Sequence, residues 1–376
     1  MEKIKVLQVN KLYYPEIGGI EKTLQQLAEG LNDKTDMKVL VCQKKGKGCQ
    51  ETINGVKVYR AGSMGVIASV PISFSFIWKF RQLAKDRDVV HLHMPFPLGD
   101  LACLLSGYKG KVVVYWHSDV VKQKRWMYLY KPIMKMFLKR VDLVLVGAAG
   151  IAKGSNYLTP YMQKCKVIPF AVEDKILEDG KRYLLERGYD RKHEVLRFLF
   201  VGRLVYYKGC SVLLEAFSSI NAKAQLIMIG SGEQDKELRE RSKQLKISDK
   251  VLFAGNVSPE EMKNYFEEAD VFVLPSTERS EAFALVQLEA MSYGLPVINT
   301  NLPSGVPEVS IHMKTGLTVE PSQVKPLIEA MEWMAEHWEQ RIDMGIAARE
   351  RVEMYYTQTK MISNVQKAYS ELIKEK

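Results

Sequence analysis

The sequence predicts an α/β protein of two Rossmann-like domains, each built on a parallel sheet, which face each other across a central cleft. Three observations support this. The 376 residues exceed what one hydrophobic core usually serves. Short apolar segments alternate with helical patterns, and the alternation starts again near residue 196. The residues suited to chemistry follow directly after apolar segments, where parallel sheets bind ligands.

The first apolar segments predict the strands of an N-terminal domain over residues 1–170. Short apolar runs separated by helices favour parallel strands joined by right-handed crossovers. The predicted strands are 4–9, 37–42, 56–59, 89–93, 112–116, 143–146 and 166–169.

A second series predicts a C-terminal domain over 195–355, with strands at 196–201, 225–229, 251–254, 271–274, 296–300 and 317–319. Residues 171–194 are charged and poor in strand formers, which indicates a linker with a short helix. Ser258, followed by Pro259 and Glu261, predicts a capped helix start. Apolar residues at close to helical period predict a last helix over 356–376.

Composition is that of an ordinary globular protein, with 47% apolar and 26% charged residues. The formal charge of +10 is uneven, because residues 1–170 carry 27 Lys and Arg against 12 Asp and Glu. An anionic partner, either nucleic acid or a membrane surface, is therefore expected on the N-terminal half. The alternative is a set of surface lysines that only aids solubility.

Five scattered cysteines without a C-x-x-C motif, and the absence of a secretory signal, predict reduced thiols and a cytoplasmic protein. The uncharged run 61–78 contains two glycines, a proline and four serines. It falls short of the roughly 20 apolar residues that a membrane span requires. The segment 122–140 combines seven cations with aromatic residues and contains no acid. This composition fits either an interfacial helix on anionic lipid or a buried helix with lysines along one face.

Two cations follow the strand 196–201, which ends at Gly202. Arg203 offers a planar fork of donors and Lys208 a point charge, and both groups suit phosphate oxygens. Glu281 and Glu289 are eight positions apart, slightly more than two helical turns. A helix beginning near Phe283 would direct unpaired N–H groups at an anion. The combination indicates a nucleotide-sugar site, although each part alone could be surface charge.

Gly18 and Gly19 follow the first strand and begin a helix, so the main chain there can approach a ligand. The pattern is not G-x-G-x-x-G, which disfavours a dinucleotide. His117 lies at the end of a predicted strand, where a ligand-binding residue is expected. His91 and His93 alternate on another strand and are too few for a metal site, which favours structural or acceptor-side roles.

With these motifs the chain resembles the retaining glycosyltransferases of family 4, which have the GT-B fold. The resemblance rests on the Glu281 to Glu289 spacing, on segment 290–297 and on the loop 201–209. Matches at 253–257, 270–276, 304–307 and 315–317 extend it over nearly the whole chain. It implies that Arg203 and Lys208 bind the donor diphosphate and stabilise the departing nucleotide. It also implies that Glu281 contacts the transferred sugar and that Glu289 binds the ribose.

The same resemblance implies that His117 contacts the transferred sugar and that the last helix packs back on the first domain. The family usually has glycine where this chain has Ala284. No metal or other cofactor is expected. The remaining candidate donor-binding residues are Gly18, Gly19, Gly202, Asn256, Phe283, Ala284 and Leu285.

The function implied is metal-independent transfer of a hexose from a nucleotide-diphosphate sugar, GDP-mannose or a UDP-sugar, to a lipid-linked glycan. The enzyme would lie at the inner face of the plasma membrane. Segments 117–124 and 202–209 are similar to bacterial enzymes that add sugars, mannose among them, to surface polysaccharides such as O-antigen and capsule. The alternatives are a sugar-nucleotide 2-epimerase of the same fold and an inactive, partner-binding homologue. Nucleic-acid binding has no recognition motif in its support.

Overall fold

The computed structural model describes residues 3–16, 18–67, 70–119, 124–189 and 193–374. The chain divides into two compact units. Unit 1 comprises Met1–Phe170 and Gln358–Lys376, and unit 2 comprises Ala171–Thr357.

The strands, in chain order, are β1 (Ile4–Val9), β2 (Thr35–Cys42), β3 (Cys49–Ile53), β4 (Val56–Ala61), β5 (Val66–Ile67), β6 (Val70–Pro71), β7 (Val89–Met94), β8 (Lys111–Trp116), β9 (Leu143–Val146), β10 (Cys165–Val167), β11 (Leu196–Val201), β12 (Ala224–Ile229), β13 (Val251–Gly255), β14 (Val271–Val273), β15 (Val297–Thr300) and β16 (Gly316–Val319). The helices are α1 (Gly19–Leu31), α2 (Phe74–Ala84), α3 (Pro97–Leu105), α4 (Lys124–Arg140), α5 (Ala149–Gly154), α6 (Asp174–Arg187), α7 (Cys210–Phe217), α8 (Asp235–Gln244), α9 (Pro259–Glu268), α10 (Leu285–Ser292), α11 (Val306–Val309), α12 (Val324–Glu336), α13 (Trp338–Tyr355) and α14 (Gln358–Lys374).

Unit 1 is built on a sheet with the strand order β10-β9-β8-β7-β1-β2-β4-β3. Its central strand β7 is buried along its whole length and β8 at every position after Lys111, as expected where helices cover both faces. β3 pairs antiparallel with β4, whereas the other pairings of this sheet are parallel.

The edge strand β3 was not expected from the sequence. Its three central side chains are polar and every residue except Ile53 is exposed, so it lacks the apolar run by which buried strands are recognised. The turn to β4 contains Asn54 (φ 47°) and Gly55 (φ 83°), both in the left-handed region that a two-residue hairpin turn requires. β5 and β6 form a separate two-stranded sheet.

The second segment of unit 1 is α14, which packs against α1. The two helices approach closely at Gly30, where a Cβ atom would fall 2.1 Å from Ile362 Cδ1. The buried face of α14 is apolar except for the tyrosine hydroxyl, and consists of Met361, Ile362, Val365, Ala368, Tyr369 and Leu372.

Unit 2 is built on a parallel sheet with the order β13-β12-β11-β14-β15-β16. The predicted cap of α9 is confirmed, because Ser258 Oγ accepts from the Glu261 N–H at 3.2 Å and the Glu261 carboxylate accepts from the Ser258 N–H at 2.8 Å.

Residues 171–194, predicted as a linker with a short helix, do contain a helix, but it is part of a compact unit. They contain α6, which belongs to unit 2 and packs against α10. Gly180 makes this approach possible, since a Cβ atom there would lie 2.1 Å from the Ser292 carbonyl oxygen. The buried Arg349 guanidinium donates to the carbonyl oxygens of Leu177 and Ser292, at 2.9 and 2.5 Å. Because most of the exposed surface of α6 is charged, its composition alone does not indicate that it packs against α10.

In the part of the chain that the structure describes, no helix has the length and apolar character needed to cross a membrane.

Candidate functional site

The carboxyl ends of β11 and β14 form the topological switch point of the unit 2 sheet. β11 pairs with β12 on one side and with β14 on the other, and the connections leave in opposite directions. Open parallel sheets bind ligands in the crevice at such a point. Residues 202–208 follow β11 and residues 276–281 follow β14 after a short loop, so the two motifs singled out in the sequence meet at this edge.

Lys208 and Glu281 form a buried ion pair at the switch point. Lys208 Nζ lies 2.5 Å from Glu281 Oε2, and the two side chains are only 11% and 10% exposed. Ser276 Oγ donates to the same carboxylate oxygen at 3.3 Å. A Cβ atom on Gly202 would lie 3.3 Å from Lys208 Nζ, so the glycine leaves room for the ammonium group. Lys208 is therefore not the exposed loop cation of the simpler interpretation.

Gly209 brings the loop after β11 against the chain that follows β14. It has φ 70°, and a Cβ atom on it would fall 2.0 Å from the Pro275 carbonyl oxygen. A side chain at this position would therefore be strained by the backbone and blocked by Pro275. The close approach brings the loop that carries Lys208 against the segment that leads to Glu281.

Arg203 is exposed, on the same loop as Lys208. Its Nη2 donates to the Tyr207 hydroxyl at 2.6 Å, and its guanidinium carbon lies 6.0 Å from the centre of the tyrosine ring. The ring limits the positions of the arginine head while leaving donors that an anion could use.

The structure places Glu281 in the loop before α10 and Glu289 on α10, where Glu289 is half-buried. The helix begins at Leu285, slightly later than the position near Phe283 expected from the sequence. Its N-cap residue, Ala284, has φ 58° and ψ 76°. This left-handed conformation favours glycine, which gives a physical reason for the glycine usual in the family at this position.

A network of buried amide side chains supports the loop before α10. The sequence analysis did not predict this network. Gln287 Nε2 donates to the Phe283 carbonyl oxygen at 3.0 Å, and Asn299 Nδ2 donates to Gln287 Oε1 at 3.1 Å. Gln287 is fully buried and Asn299 is 1% exposed. The Gly305 N–H also donates to the Ala282 carbonyl oxygen at 2.7 Å. Asn299, a polar residue inside the otherwise apolar start of β15, is the sequence signal that could have indicated this network.

Asn256 lies directly after β13 and is exposed. Its Oδ1 accepts a hydrogen bond from Ser231 Oγ at 3.0 Å, which joins the carboxyl ends of β12 and β13. Asn256 thus lies on the ligand-binding edge of the unit 2 sheet, on the side of β11 away from Glu281.

Gly18, Gly19 and His117 belong to unit 1. Gly19 is the first residue of α1, and Gly18 precedes it. A Cβ atom on Gly18 would fall 2.4 Å from Glu21 Oε2, so this glycine makes room for a buried carboxylate of the chain itself. The sequence interpretation considered only room for a ligand.

His117 follows β8, as expected, and is only 8% exposed. Its ring stacks on Phe170 with centres 4.8 Å apart and planes 7° apart. Its Nε2 lies 3.0 Å from His93 Nδ1, and His93 in turn stacks on His91. Burial lowers the pKa of His93 to about 3 and lowers the pKa of His91 and of His117 well below the usual range. The three imidazoles are therefore neutral at physiological pH.

Among the described residues, no group of three or more His, Cys, Asp or Glu side chains is arranged to hold a metal ion. In the histidine stack, both nitrogens of His93, Nδ1 of His91 and Nε2 of His117 lie within hydrogen-bond distance of one another or of neighbouring side chains.

Two family models match the chain. The model for glycosyltransferase family 4 matches residues 17–173, and the model for glycosyl transferases group 1 matches residues 185–351. The first match falls in unit 1 and extends three residues beyond it, and the second falls within unit 2.

Full-length relatives agree with these models. The D-rhamnosyltransferase WbpZ of Pseudomonas aeruginosa is 33% identical over 94% of this chain and 92% of its own length. The O-antigen chain mannosyltransferase C of Escherichia coli is 30% identical over 99% of this chain and all of its own length. The crystal structure of Anabaena HepE in complex with UDP has a TM-score of 0.77 at 17% identity and covers 98% of this chain and 100% of that one. The chain therefore belongs to the family 4 glycosyltransferases and has the GT-B fold.

Proposed function

We propose that the protein is a retaining glycosyltransferase that moves a hexose from GDP-mannose or a UDP-sugar to a lipid-linked glycan during polysaccharide assembly. The observation that carries the proposal is the buried Lys208–Glu281 pair at the switch point of unit 2. A buried charged pair in a ligand-binding crevice is typical of functional sites.

In this proposal the donor diphosphate binds Lys208, Arg203 and the N-terminus of α10. Negative charge accumulates on the diphosphate as the glycosidic bond breaks, and preorganised cations stabilise that charge. Lys208 is preorganised because Glu281 and Gly202 confine its ammonium group. Glu281 accepts a hydrogen bond from a hydroxyl of the transferred sugar, and Glu289 accepts hydrogen bonds from the ribose hydroxyls.

In this proposal no protein side chain attacks the sugar, and this determines the stereochemical course. The departing phosphate oxygen takes the proton of the incoming hydroxyl on the face of the sugar from which the nucleotide leaves, so the anomeric configuration is retained. The arginine, the lysine and the helix dipole take the place of a metal at the diphosphate. We assign His117 a contact with the transferred sugar, as the family resemblance implies.

The relatives support the substrate class. Two full-length relatives are named as a D-rhamnosyltransferase and an O-antigen chain mannosyltransferase, and HepE was crystallised with UDP and with UDP-glucose. These names favour a nucleotide-activated hexose as donor and a growing surface polysaccharide as acceptor.

A helical layer of unit 1 supports docking on anionic lipid at the inner face of the plasma membrane. α3 packs against α2 and α4, and neither α2 nor α4 contains an acidic residue. α2 exposes Phe74 and Trp78, at 80% and 65%, on successive turns. α4 exposes Tyr128, Met136 and the lysines at 131, 135 and 139. Aromatic residues next to lysines suit a membrane interface. Lys122 and the side chains of Lys124 and Arg125, which belong to the same basic segment, lie outside the described residues.

The test is a turnover assay with a panel of GDP- and UDP-hexoses and a synthetic lipid-linked acceptor. We expect acceptor-dependent release of the nucleoside diphosphate, a product with retained anomeric configuration by NMR, and unchanged rates in EDTA. Arg203→Ala should lower turnover by about 10² to 10³. Arg241→Ala, at a partly exposed arginine on α8, is the matched control and should be neutral.

Other outcomes assign other functions. Epimerisation of the donor at C2 without acceptor would indicate the 2-epimerase. No turnover and no thermal stabilisation by any nucleotide sugar would indicate an inactive homologue. Inversion at the anomeric carbon, or inhibition by EDTA that Mg²⁺ reverses, would refute the mechanism.

A further inference from the structure

A continuous chain of side-chain hydrogen bonds crosses the core of unit 1 and ends at His117. His117 Nε2 lies 3.0 Å from His93 Nδ1, and His93 Nε2 lies 2.9 Å from Gln8 Oε1. Gln8 Nε2 donates to the Tyr369 hydroxyl at 3.2 Å, and that hydroxyl lies 2.5 Å from His91 Nδ1. Gln8, His91, His93 and Tyr369 are fully buried, so water does not compete for these bonds.

The orientation of the Gln8 amide sets the direction of every proton in this chain. Gln8 Oε1 is an acceptor only, so His93 carries its proton on Nε2. His93 Nδ1 then has a lone pair and accepts from His117 Nε2–H. In a neutral imidazole one nitrogen donates and the other accepts, so Nδ1 of His117 carries the lone pair. At the far end, the Tyr369 hydroxyl accepts from Gln8 and donates to His91 Nδ1.

Two further features hold this arrangement. Burial of the imidazoles disfavours their charged forms, which would put a proton on both nitrogens and break the chain. The Phe170 ring, parallel to His117 at 4.8 Å, sets the plane of the imidazole. With the charge and the ring plane of His117 fixed, the hydrogen-bond chain determines which ring nitrogen carries the proton.

We propose that Gln8, His93 and Tyr369 are positioning residues that hold His117 as the Nε2–H tautomer, with Nδ1 as an acceptor for a sugar hydroxyl. This inference rests on the proposed function for the identity of the ligand. It selects a ligand group that donates a hydrogen bond, and it assigns α14 a role in the site through Tyr369.

The first measurement is the tautomer itself, read by ¹⁵N NMR on protein labelled at its six histidines and assigned with single His→Gln variants. The Nε2–H form is expected for both His93 and His117 in the unliganded protein. A His117 proton on Nδ1 would mean that the chain runs in the reverse direction and would overturn the proposal. This result does not depend on any donor or on turnover, so failure of the proposed function leaves it standing.

The second measurement uses Tyr369→Phe. Without the hydroxyl, the Gln8 amide can turn and reverse the chain, so a mixture of His117 tautomers is expected. For the donor identified in the panel, kcat/KM should fall about tenfold, the worth of one hydrogen bond, while affinity for the free nucleoside diphosphate is unchanged.

The matched control is Tyr115→Phe. It removes another buried hydroxyl beside the same rings, which donates to the Ile168 carbonyl oxygen at 2.6 Å and takes no part in the chain. It should change neither the tautomer nor the kinetics. Equal kinetic losses in the two variants, or a single unchanged tautomer in Tyr369→Phe, would overturn the role of Tyr369.

Discussion

Lys208→Met should destabilise unit 2 strongly, because it leaves the Glu281 carboxylate buried without its cation. The carboxylate is 10% exposed and retains the 3.3 Å hydrogen bond from Ser276 Oγ, a neutral donor that does not replace the ammonium charge. At an effective dielectric constant of 20, two charges 2.5 Å apart attract by about 6 to 7 kcal/mol. Much of this attraction is offset by the cost of removing both groups from water.

Removal of one partner of a buried pair costs about 3 to 5 kcal/mol, so we expect a loss of about 3 kcal/mol for Lys208→Met. Adding Glu281→Gln removes the stranded charge and should recover a large part of that loss. Arg203→Ala should cost less than about 1 kcal/mol, because the arginine is exposed and loses one hydrogen bond to Tyr207. Two cations that look alike in the sequence should therefore behave differently in the folded protein.

The assay is urea unfolding followed by pulsed hydrogen exchange and mass spectrometry, which reports α7 and α10 separately from unit 1. The variants are Lys208→Met, the double variant and Arg203→Ala. A loss below about 1 kcal/mol in Lys208→Met, or a double variant no more stable than the single one, would show that the pair is not a coupled buried unit and refute the reasoning.

Two further predictions concern the backbone at α10 and the basic surface. Ala284→Gly should leave thermal stability unchanged or raise it by up to about 1 kcal/mol, because relief of the left-handed strain exceeds or balances the entropy of glycine; a loss above 1 kcal/mol would contradict this. Replacing three exposed lysines of α4 by Gln should weaken binding to anionic vesicles about 100-fold at low salt, at about 1 kcal/mol per lysine, while a charge-matched set on unit 2 should not. Equal co-sedimentation of both sets would refute lipid docking through α4. The first set is Lys131, Lys135 and Lys139, and the control set is Lys243, Lys246 and Lys250.

The buried strands were predictable because their apolar runs are continuous. The bounds of β1, β9 and β11 agree with the sequence prediction. β3 was missed because an exposed edge strand needs no apolar run, although Asn54-Gly55 is a strong hairpin signal that the prediction left unused. A helix was expected within 171–194, but the packing of α6 against α10 was not, because it depends on Gly180 while the exposed face of α6 is charged.

The sequence was enough to predict which residues form the candidate site, but not which contacts they make with one another. The sequence placed Lys208 and Glu281 after strands, but their ion pair depends on β11 and β14 being neighbours, which no local pattern encodes. That the Glu21 carboxylate occupies the space a side chain at Gly18 would need is likewise visible only in the packed structure. The chain from His117 to Tyr369 joins residues more than 200 positions apart and could be found only in three dimensions.

The return of the chain to unit 1 has a consequence for the order of synthesis. Unit 1 is interrupted in sequence by the whole of unit 2, so the ribosome completes unit 2 before α14 emerges. Until then, the apolar face of α1 around Gly30 lacks its partner and Gln8 lacks the tyrosine that orients it. The nascent N-terminal sheet can therefore collapse early, but its histidine stack reaches the final proton arrangement only after the second unit has been made.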